Sequence, residues 1–506
     1  MFNVTLIRPA LISSPTSFSE PLTPPIGLAY LAGTLVAEGI RVTAIDAIGE
    51  APQNCVLERI LDQDYRCTGL AIEDVLERIP PDTSLIGISC MFTQDWPYAH
   101  RVIVAIRKQF PHTPIVAGGE HITALPEFSL RECPAIDYCC LGEGEETLFA
   151  LATCLQSEGS LGEVSGLAYI EEGQYVETSP RMRIRNVDEI AAPAWNLLPI
   201  EKYLDNRNSH GVFSGRSMPI LATRGCPYEC TFCSNPVMYG RSWFPRNPGQ
   251  VLDEIEGYIN KYNVENIDFY DLTMVVKKRW ILEFCELIKE RDLHFSWQLP
   301  SGTRSEVIDD KVALALYQTG CRNLTYAPES GSPKTLRLIK KKVKLPRLIS
   351  SLRSALSHGI NVKCNLIIGF PHETRRDIVK TILFAWKSAF WGVHDIPFYL
   401  FSPYPGSDLF EDIRDRIYPD GLDAKYFRSL LAYMDLKEQS RYCLLIGPRE
   451  LNVWRLFGMI TFYGISMLLR PLRLARLLRN VWYNESDTVL EQRLGALYHR
   501  QINTSS

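Results

Sequence analysis

The sequence predicts an α/β chain in three parts: a doubly wound parallel-sheet domain, a partial (β/α)6 barrel and a helical tail. Three observations carry that prediction. Short β-rich runs alternate with helix-patterned stretches, as in parallel sheets covered by helices. The alternation is interrupted by a polar stretch over 156–215. Strand patterning fades after residue 412, where Leu, Arg and aromatic residues take over. The expected divisions are therefore 1–155, a hairpin and linker over 156–215, the barrel over 216–412 and a helical region over 413–506.

In the first part "FNVTLIRP" and "IRVTAID" read as strands around the helix "PPIGLAYLAGTLVAEG", which has prolines at its start and Gly39 at its end. "SLIGISC", "PIVAGG" and "IDYCCLG" are further strands, with the helix "PYAHRVIVAIRKQF" between two of them. Ligands bind such sheets at the carboxyl ends of the strands. Those ends here are residues 8–25, "SCMFTQDW", "GGEHITALP" and "GEGEET".

The second part supplies six strand-led units, beginning at "MPILATRGC", "ENIDFYD", "HFSWQLPSG", "CRNLTYAPESGS", "NVKCNLIIGFP" and "DIPFYLFSPYPG". Six units suffice for a barrel or an open three-quarter barrel, with its chemistry on the loops at one mouth. Tyr326 and Tyr404 lie at strand ends, where a tyrosine either faces the mouth or packs.

At 506 residues the chain is too long for one ordinary core. Its 46% apolar and 22% charged composition is globular, and a net charge of −4 gives no electrostatic case for nucleic acid as a partner. The N-terminus reads as a first strand, not a signal peptide. A cytoplasmic chain keeps thiols reduced, so most of the 14 cysteines are expected to fill core positions.

Three cysteines depart from that pattern. "RGCPYECTFC" places Cys226, Cys230 and Cys233 on the loop after the first barrel strand. Three thiolates can hold three irons of a 4Fe-4S cluster and leave the fourth iron open to a small molecule. The rivals are a zinc site or plain core cysteines. Structural zinc wants four ligands, and no matching Cys or His pair is evident.

This motif resembles the signature of the radical S-adenosylmethionine (SAM) superfamily, and the likeness extends over residues 216–412. The resemblance implies a TIM-type partial barrel and SAM chelated by the open iron. It also implies an external electron donor of flavodoxin or ferredoxin type, and reductive cleavage of SAM to a 5′-deoxyadenosyl radical. It places Phe232 near the adenine. "IDFYDLTM" resembles the segment that meets the SAM amino group, here Asp271, although it lacks the Gly-Gly-Glu form of many members. "APESGS" resembles the fourth-strand motif, giving Glu329 and Ser330. "IIGFPHET" resembles the fifth-strand motif, giving Gly369, although a glycine and a proline there also suit a plain turn.

A nucleotide site is the rival reading of the first part, but no G-x-G-x-x-G follows the first strand. With "PAWNLLPIEKY", its glycine loops resemble the Rossmann-like cobalamin-binding domain of one radical SAM subgroup. The implied cobalamin contacts are Thr93, Gly118, Gly119, Glu120, Gly142, Glu143, Gly144 and Glu145. Where many cobalamin proteins carry Asp-x-His-x-x-Gly, this chain has "DAIGE", and His100, His112 and His121 lie outside that motif. No histidine ligand to cobalt is expected from this loop. A domain that no longer binds cobalamin is the alternative.

The subgroup's commonest chemistry is methylation of an unactivated carbon, one SAM methylating cobalamin and a second providing the radical. The alternatives are non-methylating oxidation or ring closure, as in porphyrin cyclases, and a corrinoid or iron–sulfur sensor. Catalytic residues beyond the cluster ligands are not identifiable. The tail, "LNVWRLFGMITFYGISMLLRPLRLARLLRNVW", contains no run long enough to span a bilayer, which takes about 20 residues. It reads as a helical cap on the barrel. The second reading is a basic amphipathic segment at a membrane surface, with a hydrophobic or lipid-like small-molecule substrate.

Overall fold

The computed structural model describes residues 2–17, 22–212, 214–304, 306–419, 421–433 and 435–503, with side chains to residue 499. Part of the loop after the first strand, residues 18–21, therefore lies outside the described residues.

The N-terminal part contributes β1 (Asn3–Arg8), β2 (Leu11–Ser13), β3 (Arg41–Asp46), β4 (Cys55–Ile60) and β5 (Gln63–Thr68). These are followed by β6 (Leu85–Ser89), β7 (Ile115–Gly118), β8 (Tyr138–Cys140), β9 (Leu167–Glu171) and β10 (Gln174–Glu177). The main sheet runs β10-β9-β8-β7-β6-β1-β3. Its five strands from β3 to β8 are parallel, because each crosses over through a helix, and the β9–β10 hairpin adds an antiparallel edge. That hairpin, expected in the linker, thus belongs to the first sheet. Strand order reverses between β1 and β6, which places a ligand crevice at their carboxyl ends. A small antiparallel sheet, β2-β5-β4, flanks this end.

The second part holds β11 (Ser217–Ile220), β12 (Thr223–Arg224), β13 (Phe244–Pro245), β14 (Asn266–Phe269), β15 (Ser296–Thr303), β16 (Cys321–Glu329), β17 (Asn361–Ile368) and β18 (Phe398–Leu400). Six of them form one parallel sheet in sequence order, β11-β14-β15-β16-β17-β18, the open barrel expected. Tyr326 is fully buried and its hydroxyl meets Ser351 Oγ at 2.8 Å, so it packs under a helix and does not face the mouth.

The segment between the two sheets is a clamp. Trp195 is buried and donates its indole N–H to the Tyr258 hydroxyl at 3.0 Å on the barrel side. Tyr203 donates to Asp46 at 2.6 Å on the first-domain side. Gly33 makes room for the passing chain, since a Cβ there would stand 2.1 Å from the Ala192 carbonyl. A single hydrophobic core accordingly runs from Leu6 and Leu28 through Trp195 to Met218 and Ile255.

In the tail, the helix Pro448–Leu469 packs on the helix Arg375–Trp391 and on β18. Arg455 is buried there and donates to the carbonyls of Phe398, Ala432 and Asp435.

Candidate active site

The cysteine loop leaves β12 and returns through β13, and the pairing of Thr223 with Pro245 and Arg224 with Phe244 closes its base. Gly225 permits this closure. It has φ +85°, and a Cβ would sit 2.2 Å from the Ser242 carbonyl. Within the loop Cys226, Cys230 and Cys233 are free and half-buried. The Thr231 N–H donates to the Ile339 carbonyl at 3.1 Å, and the Leu409 N–H donates to the Thr231 carbonyl at 2.8 Å.

Two cations face the thiols. The Arg304 guanidinium lies 3.5 Å from the centre of the Tyr228 ring, and the Lys341 ammonium 5.7 Å from that of Phe232. Burial raises the Cys226 thiol above its ordinary pKa, while both cations pull it down. Burial still dominates, and it pushes the Cys233 thiol up to about 12. Among the described residues, no three His, Cys, Asp or Glu side chains are arranged to hold a single metal ion. Three thiols on one short loop are a donor set that suits a 4Fe-4S cluster, which takes one thiolate per iron.

The remaining barrel residues divide in two. Phe232 meets Phe370 of the fifth-strand motif edge-on, ring centres 5.7 Å apart. Glu329 sits at the end of β16 with φ +65°, a left-handed backbone that a non-glycine residue adopts at a cost, and such strain gathers at functional sites. Its carboxylate is buried and accepts from Lys341 at 2.8 Å. Gly369 has φ +89° and donates its N–H to Glu373 at 2.7 Å. Asp271 and Ser330 face other partners. Asp271 accepts from the Thr223 hydroxyl at 2.5 Å and the Ala222 N–H at 3.1 Å, so it braces the root of the cysteine loop. Ser330 is fully buried and bonds Thr381 at 2.9 Å, behind the mouth.

Buried polar atoms without a partner collect at this mouth: Thr231 Oγ1, Asn235 Oδ1, Thr273 Oγ1, Arg304 Nη1 and Ser402 Oγ. Unsatisfied buried groups of this kind call for water or a polar ligand.

The first-domain loops lie directly against the cysteine segment. Glu120 of "GGEH" accepts a hydrogen bond from Ser234, next to Cys233. Gly142 has φ +72°, and a Cβ there would lie 3.6 Å from the Met238 carbonyl, an ordinary contact distance. Gly119, with φ +113°, fits against the Cys90 carbonyl, and Gly118 accepts the Cys90 N–H at 2.7 Å. Gly144 starts the helix Gly144–Ser157. Glu143 and Glu145 already have partners. Glu143 accepts from Arg183 at 2.7 Å and from Arg224 at 3.2 Å, and Glu145 accepts from Arg224 at 2.6 Å. Their side chains lock the two domains together, and only the backbone of this loop is left for a ligand.

At the switch-point crevice, Met91 and Phe92 stand exposed after β6, beside Thr93. Gln94 Oε1 and Asp95 Oδ1 are buried without partners. An apolar lip with unsatisfied amide and carboxyl oxygens fits a large ring carrying amide side chains, as cobalamin does. Thr93 itself is buried and meets His121 Nδ1 at 3.3 Å. His121 is sealed among Trp96, Phe128 and Phe427, and burial lowers its pKa to about 3. His100 and His112 lie elsewhere, on and just after the helix Trp96–Gln109. "DAIGE" is covered by the clamp: a Cβ on Gly49 would fall 2.4 Å from the Tyr203 ring.

Sequence reasoning missed Arg224, Arg304, Lys341 and Glu373. Only Arg224 and Glu373 had a signal, since they lie inside the two motifs. Glu373 is fully buried, which pushes its carboxyl up to about 8.

Comparison with known proteins agrees with this geometry. The profile of the Radical SAM superfamily matches residues 220–385, and that of the B12 binding domain matches residues 19–152. An uncharacterized methyltransferase of Pyrococcus horikoshii is 32% identical over 81% of this chain and 83% of its own. The anaerobic magnesium-protoporphyrin IX monomethyl ester cyclase of Rubrivivax gelatinosus is 26% identical over 78% of this chain and 67% of its own. Among solved structures, the cobalamin-dependent radical enzyme OxsB with aqua-cobalamin and SAM bound superposes with a TM-score of 0.68 at 16% identity, covering 99% of this chain and 75% of that one. The methyltransferase TsrM of Kitasatospora setae with cobalamin and a [4Fe-4S] cluster bound gives 0.63 at 17% identity, covering 82% and 78%. At these identities the structures speak for the fold alone.

Proposed function

The chain belongs to the radical SAM superfamily, in the branch that carries a B12-binding domain, and from that membership we propose a cobalamin-dependent methyltransferase acting on an unactivated carbon of a small molecule. The observation that carries the reading is the direct contact of the glycine loops with the cysteine loop, through Glu120 with Ser234 and Glu143 and Glu145 with Arg224. A radical at a substrate carbon needs its methyl donor close by, and these contacts set two cofactor sites side by side.

In this reading Cys226, Cys230 and Cys233 hold a 4Fe-4S cluster. Phe232 and Gly369 flank the adenine of SAM, and Glu329 with Lys341 orients its polar end. The backbone of Gly118, Gly119 and Gly142 and the crevice at Thr93 receive cobalamin. When bound, the cluster supplies one electron to SAM, and cobalamin carries the methyl group. The chain's own part is to hold these groups, exclude water and fix the distance between them. An external one-electron donor of flavodoxin or ferredoxin type completes the cycle. A peripheral membrane contact through the C-terminal helices belongs to the same reading.

The cyclase relative favours a second reading, radical oxidation or ring closure without methyl transfer. Anaerobic reconstitution with iron, sulfide and hydroxocobalamin, followed by assay with SAM and dithionite, separates the two. Retained corrinoid with both 5′-deoxyadenosine and S-adenosylhomocysteine supports methyl transfer. 5′-Deoxyadenosine without S-adenosylhomocysteine supports the second reading. Neither product would overturn both.

A further inference from the structure

The helix Pro448–Leu469 is apolar on both sides. Its inner side packs on the barrel, where Gly458 is so close that a Cβ would fall 2.7 Å from the Phe398 ring. Its outer side presents Val453, Phe457, Ile460, Gly464 and Leu468, one stripe at three- and four-residue spacing. Ile460 is 69% exposed and Leu468 84%. On a surface helix this face normally carries charge.

The stripe is not isolated. The neighbouring helix Arg375–Trp391 exposes Val379, Leu383 and Phe390 on its outer side. Trp386 joins the two helices, donating to Thr461 Oγ1 at 2.8 Å and meeting the Phe457 ring at 6.3 Å. The helix Pro471–Tyr483 continues the strip with Leu472, Leu478 and Trp482, and Leu472 is 82% exposed. Apolar surface shared by three helices is more than scattered residues, and marks an interaction face.

Charge says what it meets. Residues 451–484 contain no Asp or Glu but five arginines. Arg470 and Arg473 are engaged, donating to the carbonyls of Ala389, Phe390, Gly392 and Val393 at the end of the helix Arg375–Trp391. Arg476 is exposed, and Arg479 pairs with Glu485 at 3.3 Å. Arg376, Lys380 and Lys387 add exposed cations along the neighbouring helix.

We propose that this face, built from the helices Arg375–Trp391, Pro448–Leu469 and Pro471–Tyr483, docks on an anionic lipid bilayer. Its leucines and tryptophans enter the headgroup–acyl boundary and its basic residues meet lipid phosphates. Among the described residues no helix is long and apolar enough to cross a membrane, so the contact lies on the surface. A second copy of the chain fits the face less well. An isologous contact would set its basic rim against an identical rim.

The test uses the full-length protein and floats it with vesicles of phosphatidylcholine alone, or of phosphatidylcholine mixed with phosphatidylglycerol. Flotation with the anionic vesicles only, reduced by salt, is expected. Lys380→Ala, Lys387→Ala and Arg476→Ala should each weaken partitioning by about fivefold. Ile460→Glu and Leu468→Glu should abolish flotation while circular dichroism melting stays as in the parent. No flotation, or equal flotation with neutral vesicles, overturns the proposal. So does a dimer in light scattering that Ile460→Glu dissociates without any vesicle binding, which would make the face a contact between copies.

Discussion

Arg224 and Glu145 meet at 2.6 Å in a buried ion pair that crosses from the barrel to the first domain. Arg224 lies two residues before Cys226, and the same guanidinium reaches Glu143 at 3.2 Å. Position at the root of the cysteine loop is thereby tied to position of the glycine loop.

Arg224→Met removes the one cation shared by both carboxylates. Glu143 keeps Arg183, but Glu145 is left buried and uncompensated. Breaking such a pair costs about 3–5 kcal/mol. The expected result is a lower melting temperature, with retained iron but weakened hydroxocobalamin binding in a spectrophotometric titration. Arg224→Lys should recover part of the stability and less of the corrinoid affinity, because a single ammonium cannot serve two carboxylates as a fork does. Unchanged corrinoid affinity in Arg224→Met would show the pair to be structural alone.

Cys230→Ala should reduce iron in the anaerobically reconstituted protein to background, and with it visible charge-transfer absorbance and 5′-deoxyadenosine formation. The buried thiols Cys321 and Cys364 are the control, since both are packed in the hydrophobic core on strands of the barrel. Cys364→Ala should keep its iron and lose only packing energy. Full iron content in Cys230→Ala would sink the assignment of the ligands.

Glu373 makes a pH prediction. Its carboxyl is held at about 8 in the folded chain by burial, against an ordinary value of 4.5. The folded state therefore binds the proton more tightly than the unfolded state. This contribution to stability is complete below about pH 4.5 and is lost as pH rises towards 8. At about 1.4 kcal/mol per pKa unit, the loss is at most about 5 kcal/mol. Glu373→Gln keeps an acceptor for the Gly369 N–H and has no proton to lose. Its stability advantage over the parent, from denaturant titrations, should grow between those pH values and level off above 8. A constant difference across that range would contradict a neutral Glu373.

What was legible in the sequence depended on how local the signal was. The six barrel strands could be read because each is a short apolar run followed by a helix pattern, several of them closed by a glycine such as Gly320, Gly359 or Gly392. The β2-β5-β4 sheet was not. β4, "CVLERI", is an exposed edge strand, and β5, "QDYRCT", buries only Tyr65, Cys67 and Thr68 among charged neighbours, too short an apolar signal to stand out. The cysteine triad was legible because spacing alone defines it. The roles of Glu143 and Glu145 were not, since their partners Arg183 and Arg224 lie 40 and 79–81 residues further on. Arg470 and Arg473 illustrate the same limit. In the sequence they read as one basic face with Arg476 and Arg479, yet the fold uses them to cap the carboxyl end of a helix 80 residues earlier.

The last prediction concerns Lys341, for which no motif exists. Burial works against its charge, but Glu329 at 2.8 Å more than offsets that and leaves its pKa raised. Lys341→Met leaves the buried Glu329 carboxylate without its hydrogen-bonded cation, with only Arg304 acting on it from further away, and should destabilise the chain by about 3 kcal/mol or more. Glu329→Gln in the same chain removes the stranded charge and should restore most of that stability. If the pair serves only the fold, the double variant will also bind SAM like the parent. If it orients SAM, as proposed, the double variant will melt like the parent yet bind SAM at least tenfold more weakly in equilibrium dialysis. The double-mutant cycle thus separates packing from ligand binding at two residues in contact.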